Sequence, residues 1–429
     1  MIMIKKRIRN RMAVFLALLL MGISLMTGCS LPGSSGKYLS DQNFPAMRAD
    51  VEVEDDKETG VRPLSPVQDE ESLKAMVLSD LHYTEKKDQD HTLVPGIAEA
   101  ERITDALIAE VIGRHPDVLI MTGDHTNTGY AQDVSALVSK LQKIRDSGIS
   151  IIMTTGNHDF DLMDATEYEN YYFPLLDPVD RDPASLSYTA IIKDVVFLAM
   201  DDHNEEIDWQ GSFSPETIRW ISSMLDKYKD HTVIFLSHHN VLYGFGEEEH
   251  PENHLIQNPE LPRLLRNGGV KLAMTGHMHF QYITQQDGLW EILSGMPFSG
   301  SHLIGNLAVG KDKIIYYAEP ANLARYDKAV KEDLDRLDQE SSEYMNQIFS
   351  EVLTSEGLKA YKKKRVMNLI NWYLYYYDAG TLADHKEEFT EDPSYNRMIK
   401  ALWNHNYGPW MKAMIETTQY NARELEITW

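Results

Sequence analysis

Five short segments rich in histidine and aspartate occur along this chain, each directly after an apolar, largely β-branched run. Asp80-Leu81-His82 follows Met76-Val77-Leu78, and Gly123-Asp124 follows Val118-Leu119-Ile120-Met121. Gly156-Asn157-His158-Asp159 follows Ile151-Ile152-Met153, and Ser237-His238 follows Val233-Ile234-Phe235-Leu236. Gly276-His277-Met278-His279 follows a run from Val270 to Met274. Apolar runs of this length, bounded by polar turns, read as buried strands. Side chains delivered at the carboxyl tips of such strands converge on one rim of a sheet, where loops on a rigid scaffold carry function. The pattern therefore predicts an α/β protein with a metal-binding rim.

The order and spacing of these motifs resemble the calcineurin-like metallophosphoesterase superfamily. Its signature runs Asp-x-His, Gly-Asp, Gly-Asn-His-Glu/Asp, His and Gly-His-x-His, and every element is present. The resemblance spans about Lys74 to Pro320. It implies a four-layer α-β-β-α sandwich, a topology that periodicity alone does not supply. It also implies a first metal bound by Asp80, His82, Asp124 and His279, and a second sharing Asp124 and adding Asn157, His238 and His277. Mn, Fe and Zn all suit imidazole and carboxylate ligands, and the motifs contain no cysteine for a zinc-thiolate site. Two cations about 3.5–4 Å apart activate a bridging water and neutralise charge developing at phosphorus. In the same resemblance His158 contacts a phosphoryl oxygen or protonates the leaving oxygen, and Asp159 orients that imidazole.

Some branches are set aside by residues. Ser/Thr protein phosphatases continue Gly-Asp into a pattern ending Asp-Arg-Gly, whereas this chain reads Gly123-Asp124-His125-Thr126-Asn127-Thr128-Gly129. Purple acid phosphatases carry a metal-binding tyrosine three residues after that aspartate, where Asn127 stands here. The expectation is a hydrolase of a phosphodiester or small phosphomonoester. A 5′-nucleotidase-like enzyme and a non-catalytic, metal-dependent envelope-binding lipoprotein are the alternatives. Beyond the motifs, His125 and His203 are candidates to approach substrate, and His239 either contacts substrate, supports the site from behind or is simply solvated. His91, Asp201 and Asp202 read as loop residues, and His250, His254 and His302 as incidental surface residues. The acidic loop from Gly244 to Glu249 either gates the site or is simply solvated.

The formal charge is -25, from 66 acidic against 41 basic residues. Phosphate-backbone binding needs Lys and Arg, so nucleic acid is not an expected partner. The N-terminus carries Lys5, Lys6, Arg7, Arg9 and Arg11, then an apolar run from Met12 to Met26, the form of a secretory signal. It ends in Leu25-Met26-Thr27-Gly28-Cys29, which resembles a bacterial lipobox, with Met26 where Leu, Val or Ile is commoner. That resemblance implies lipidation of Cys29, the single cysteine, and an extracytoplasmic protein anchored to a membrane. The expected organisation is a signal peptide over 1–28, a flexible tether over 29–70, a metallophosphoesterase domain over 71–320 and a helical region over 321–429. Within the last, residues 326–353, 358–377 and 395–403 read as helices. The run Trp372-Tyr373-Leu374-Tyr375-Tyr376-Tyr377 reads as a packing face, and Lys362-Lys363-Lys364-Arg365 as a solvated one.

Overall fold

The computed structural model of the protein describes residues 38–42, 72–85, 99–204, 207, 209–244 and 254–429. The expected signal peptide, Cys29, most of the 29–70 segment, His91, His250 and residues 245–249 lie outside the described residues. The strands in chain order are β1 (Leu73–Leu78), β2 (Val118–Thr122), β3 (Ser150–Thr154), β4 (Asp180–Arg181), β5 (Tyr188–Ile192), β6 (Val195–Ala199) and β7 (Thr232–Leu236). They continue with β8 (Leu272–Thr275), β9 (Tyr282–Gln286), β10 (Leu289–Leu293), β11 (Leu303–Val309), β12 (Lys313–Pro320) and β13 (Glu424–Thr428). One sheet runs β13-β12-β11-β1-β2-β3 and the other β4-β5-β6-β7-β8-β10-β9.

The five motif strands are thus divided between sheets. β1, β2 and β3 pair in parallel in the first, and β7 and β8 pair in parallel in the second. The single-sheet rim expected from the motifs is instead a rim shared by two facing sheets. Large twisted sheets tend to curl or split into packed pairs, and this chain takes the second course.

Helices close both outer faces. α1 (Ala100–Arg114) and α2 (Ala131–Asp146) are the crossovers of the first sheet and bury Ile103, Leu107, Val111, Leu137, Leu141 and Ile144 at helical spacing. The short α3 (Ala165–Tyr172) follows β3. α4 (Pro215–Lys227) and α5 (Leu261–Asn267) cover the second sheet. Alternation along β6 and β7 divides the core. Val196, Leu198, Val233 and Phe235 pack with Ile221, Leu225 and Leu265, whereas Val195, Phe197, Ala199, Ile234 and Leu236 join the core between the sheets. This is the α-β-β-α sandwich.

Local chemistry sets the helix ends, with one surprise. Ser214 caps α4 by accepting from Thr217 N, and Pro215 takes the first position, where a missing N–H costs nothing. For α2 the residue before the helix is Tyr130, which offers no side-chain cap, and Asp133 lies in the first turn. The Asp133 carboxylate is buried and accepts from Thr84 Oγ1 at 2.8 Å and Glu85 N at 3.0 Å, securing the segment after β1.

Beyond β12 come α6 (Lys328–Ser355), α7 (Ala360–Asp378), α8 (Lys386–Thr390), α9 (Tyr395–Leu402) and α10 (Tyr407–Thr417). Trp372, Tyr373 and Tyr377 of α7 are buried in a second core with Phe349, Met398 and Trp410. The region is not wholly helical as read from sequence: β13 pairs antiparallel with β12 and forms the edge of the first sheet. Its alternation of exposed Glu424, Glu426 and Thr428 with buried Leu425 and Ile427 is a period-2 signal, short enough to be overlooked. Among the described residues no helix is long and apolar enough to cross a membrane. Phe197, fully buried between the sheets, tests this packing. Phe197→Ala is expected to cost about 3–5 kcal/mol, read as a lowered denaturation midpoint.

Candidate metal centre

Three of the five motifs reverse through left-handed backbone just beyond their strands. Asp80, His82, Asp124, His277 and His279 all have left-handed backbone, with φ of 53°, 41°, 48°, 72° and 60°. They make up five of the ten non-glycine residues with positive φ among those described. Such conformations are sparsely populated for these residue types and persist where surrounding structure over-determines them. The constraint here is cross-bracing between tips. His82 N donates to Asp124 O at 2.9 Å, His277 N to Asp80 Oδ1 at 3.0 Å, and His158 N to Asp124 Oδ1 at 2.9 Å.

Two motif glycines are required by close approach. A Cβ on Gly156 would lie 2.1 Å from Asp124 N, and one on Gly276 would lie 2.1 Å from Ser79 Oγ. Neither neighbour has room to give.

The tips bring two donor sets together. Asp80, His82, Asp124 and His279 form one, and Asp124, His238 and His277 the other, with the ligand atoms of each set within 4.8 Å of one another. In the first, His82 Nε2 lies 3.0 Å from His279 Nε2, and His279 Nε2 lies 3.5 Å from Asp80 Oδ1. In the second, Asn157 Oδ1 lies 3.1 Å from His277 Nδ1 and 3.2 Å from His238 Nε2. Asp124 Oδ2 is 3.5 Å from His82 Nε2 and 3.3 Å from His238 Nε2, so a single oxygen faces both sets. Donors at about 2.0–2.1 Å from one cation stand about 3.0–3.4 Å apart. The observed separations therefore fit two cations sharing Asp124. His238 is also pre-oriented: its Nδ1 lies 2.8 Å from Thr122 O, which leaves Nε2 for the site.

Electrostatics agree with this fit. Burial lowers His82 well below its usual range and His279 to about 4, so both imidazoles are neutral and can serve as ligands. Burial pushes Asp80 up to about 7. At Asp124 burial acts upward, but His238 and His158 outweigh it and hold the carboxyl well below its usual range. His238, opposed by burial but drawn up by Asp124, reaches about 10. Without cations the cluster therefore keeps a proton on His238 at neutral pH.

His158 stands at the edge, its ring centroid 4.7 Å from that of His82. Its Nδ1 lies 2.9 Å from Asn127 O and 3.9 Å from Asp161 Oδ2. Burial opposes its charge, but Asp124, Asp161 and the Asn127 carbonyl prevail and raise its pKa. Asp159 does not take the orienting part expected of it. Its Oδ1 accepts from Thr126 N and its Oδ2 from Gly156 N, both at 3.1 Å, so it clamps the β3 tip to the β2 tip. His158 and Asp159 lie in one 3-10 turn, where successive side chains point about 120° apart.

The histidines outside the donor sets take separate places. His125 is fully buried, with Nε2 2.8 Å from Thr154 O and its ring beside Tyr172, so it turns into the core and away from substrate. His203 stacks on Phe160 at 4.1 Å. His239 supports the site: its ring lies 4.2 Å from that of His277, and Nδ1 lies 3.1 Å from Asp202 Oδ1. His254 is buried and His302 is partly buried and paired, so neither is an incidental surface residue. His254 is 1% exposed, and His302 Nε2 lies 3.1 Å from Asp338 Oδ2.

Two buried carboxylates brace the site in ways the motifs do not announce: Asp202, read from sequence only as a loop residue, and Glu291. Asp202 Oδ2 accepts from His238 N at 3.0 Å and His239 N at 2.8 Å, fixing the β7 tip. Glu291 accepts from Val241 N, Leu242 N and Thr275 Oγ1, holding the segment that follows. Both lie outside the motifs, and only their spatial neighbours reveal them.

Residues 73–281 match the model of the calcineurin-like phosphoesterase family. Among solved structures, a dimetal phosphatase from Danio rerio is similar at 14% identity and a TM-score of 0.49, over 58% of this chain and 96% of that one. A purple acid phosphatase from yellow lupin is similar at 13% identity and 0.37, over 60% of this chain and 52% of that one. A phosphopantetheinyl hydrolase from Mycobacterium tuberculosis is similar at 12% identity and 0.31, over 53% and 90%. No curated protein sequence matches the chain.

The metal-free His238 pKa predicts proton-linked metal binding. Mn²⁺ affinity should rise as pH increases through the neutral range toward 10, because each step removes a proton that competes for Nε2. Calorimetry at neutral pH in buffers of different ionisation enthalpy should show proton release on binding; buffer-independent heats would contradict the assignment.

Proposed function

Residues 73–281 belong to the calcineurin-like phosphoesterase family, and from that premise we propose that this metal-dependent phosphoester hydrolase is a phosphodiesterase for a small substrate. Asp80, His82, Asp124 and His279 hold one cation in this proposal, and Asp124, Asn157, His238 and His277 the other. The observation that carries the reading is the Asp124 Oδ2 atom, within 3.5 Å of a histidine nitrogen from each donor set. Two bound cations would supply an activated water and offset charge at the phosphoryl oxygens.

The protein's own residues do the rest. Asn157 offers a neutral amide oxygen, which keeps negative charge on its side of the site low. His158, held through Nδ1 by the Asn127 carbonyl at the edge of the donor sets, keeps its other ring nitrogen to protonate the departing oxygen. Its raised pKa suits an acid at neutral pH. Asp161, 3.9 Å from that ring and half-exposed, disfavours a dianionic monoester more than a monoanionic diester. Asn127 stands where a purple acid phosphatase places its tyrosine ligand, and here that residue's carbonyl serves His158 instead. The Lys5-to-Cys29 sequence supports a location outside the cytoplasm with lipid on Cys29.

The purified protein should hydrolyse a chromogenic phosphodiester faster than its monoester counterpart when loaded with Mn²⁺, Fe²⁺ or Zn²⁺. Asp124→Asn should abolish turnover, and His158→Ala should lower kcat by about 10²–10⁴-fold with metal still bound. A higher rate on the monoester would transfer the assignment to a phosphomonoesterase. Metal binding with no turnover of either ester, nor of a panel of natural phosphoesters, would make this a binding protein.

A further inference from the structure

Within the 29–70 segment read as a flexible tether, Leu39–Asp41 forms a 3-10 turn docked on the C-terminal helices. Leu39 is 3% exposed and belongs to the C-terminal core. Ser40 N donates to Asp392 Oδ2 at 2.8 Å. Arg365 Nη2 reaches Ser40 Oγ at 3.1 Å and Asp41 Oδ1 at 2.9 Å, and Asn368 Nδ2 donates to Gln42 O at 2.9 Å. A buried leucine and bonds to three separate side chains make this a clip, not a passing contact.

The clip lies beside the most basic stretch among the described residues of this acidic protein. Arg365 belongs to the first turns of α7, and the chain around it reads Lys359-Ala360-Tyr361-Lys362-Lys363-Lys364-Arg365. Tyr361 lies one helical turn from Arg365, about 6 Å along the axis, and is 64% exposed. Lys359 and Lys364 are exposed, and Lys362 Nζ lies 5.8 Å from the Tyr361 ring. Exposed lysines around an exposed tyrosine fit the headgroup layer of an anionic membrane, where lysine finds phosphate and tyrosine sits at the interface. An acidic chain of net charge -25 has little use for such a cluster elsewhere.

Proximity supplies the second strand. From Cys29 to Tyr38 is nine residues, which span at most about 32 Å when fully extended. A bilayer holding a lipid on Cys29 would therefore lie within that distance of the clip, which is itself bonded to Arg365 near the start of α7. We propose that the N-terminal end of α7 rests on an anionic bilayer, with Lys359, Lys362 and Lys364 at lipid phosphates and Tyr361 among the headgroups. The clip converts a lipid anchor into a defined orientation. This rests on the anchor reading of Cys29 and is independent of diester preference.

The test uses the full lipidated chain reconstituted into vesicles of phosphatidylcholine alone, or of phosphatidylcholine with an equal part of phosphatidylglycerol. Flotation first establishes that the protein is anchored to both. Lysines are then acylated with a water-soluble reagent and read by mass spectrometry, with Lys143 of α2 as the internal reference. Lys359, Lys362 and Lys364 should react at least about three-fold more slowly on the anionic vesicles, and high salt should remove the difference. Equal reactivity on the two vesicle types, or slowing shared equally by Lys143, would overturn the proposal. So would failure of the chain to float with either vesicle, because the orientation depends on the anchor.

Discussion

Four imidazoles and the Asp80 carboxylate crowd around one buried oxygen of Asp124, and the surrounding architecture serves to keep them there. Burying charge without compensation is expensive, and here the expense shows as pKa values driven apart: Asp80 upward, Asp124 downward, His238 upward. Two cations in the donor sets would relieve that conflict, because each supplies the positive charge that a trapped proton otherwise provides. The left-handed backbone at five of these residues shows the same economy in conformation, since strain is tolerated only where many contacts hold it.

Those contacts come from both sheets. Backbone of the second sheet's His277 donates to Asp80 of the first, and His238 of the second turns its Nδ1 to Thr122 O of the first. The carboxylates of Asp202 and Glu291 then hold the β7 tip and the segment after it from behind. The core between the sheets and the site at their rim are consequently one mechanical unit.

The C-terminal helices enter this unit through the last motif. His277 and His279 face the donor sets, while Met278, Phe280 and Tyr282 pack into the C-terminal core, where Phe280 lies 4.9 Å from Tyr377. Gln281 donates to Tyr316 OH and Ala422 O, linking the same segment to β12 and to the approach to β13. The left-handed turns at His277 and His279 send neighbouring side chains to opposite sides, so this loop serves the donor sets and the C-terminal core at once. The same helices hold the Leu39–Asp41 clip, so the chain's N-terminal approach and its metal rim share a support.

The sequence by itself determined which chemistry the rim could carry. Strand periodicity and motif spacing are local properties, so the strand positions, the residue types at the tips and the α/β class were legible without coordinates. Helix starts follow local chemistry only in part: Ser214 caps α4 within its own turn, whereas Asp133 in the first turn of α2 bonds Thr84 of a distant segment. Tertiary structure alone decided what depends on distant partners. It divided the five strands between two sheets, turned His125 inward, and placed Asp159 on Thr126 and Gly156 while Asn127 took His158. It also returned β13 to the first sheet and brought Asp202 behind His238. The physical reason is the same in each case: a side chain's type is local, but the donor or acceptor that satisfies it when buried is supplied by whichever segment folds against it.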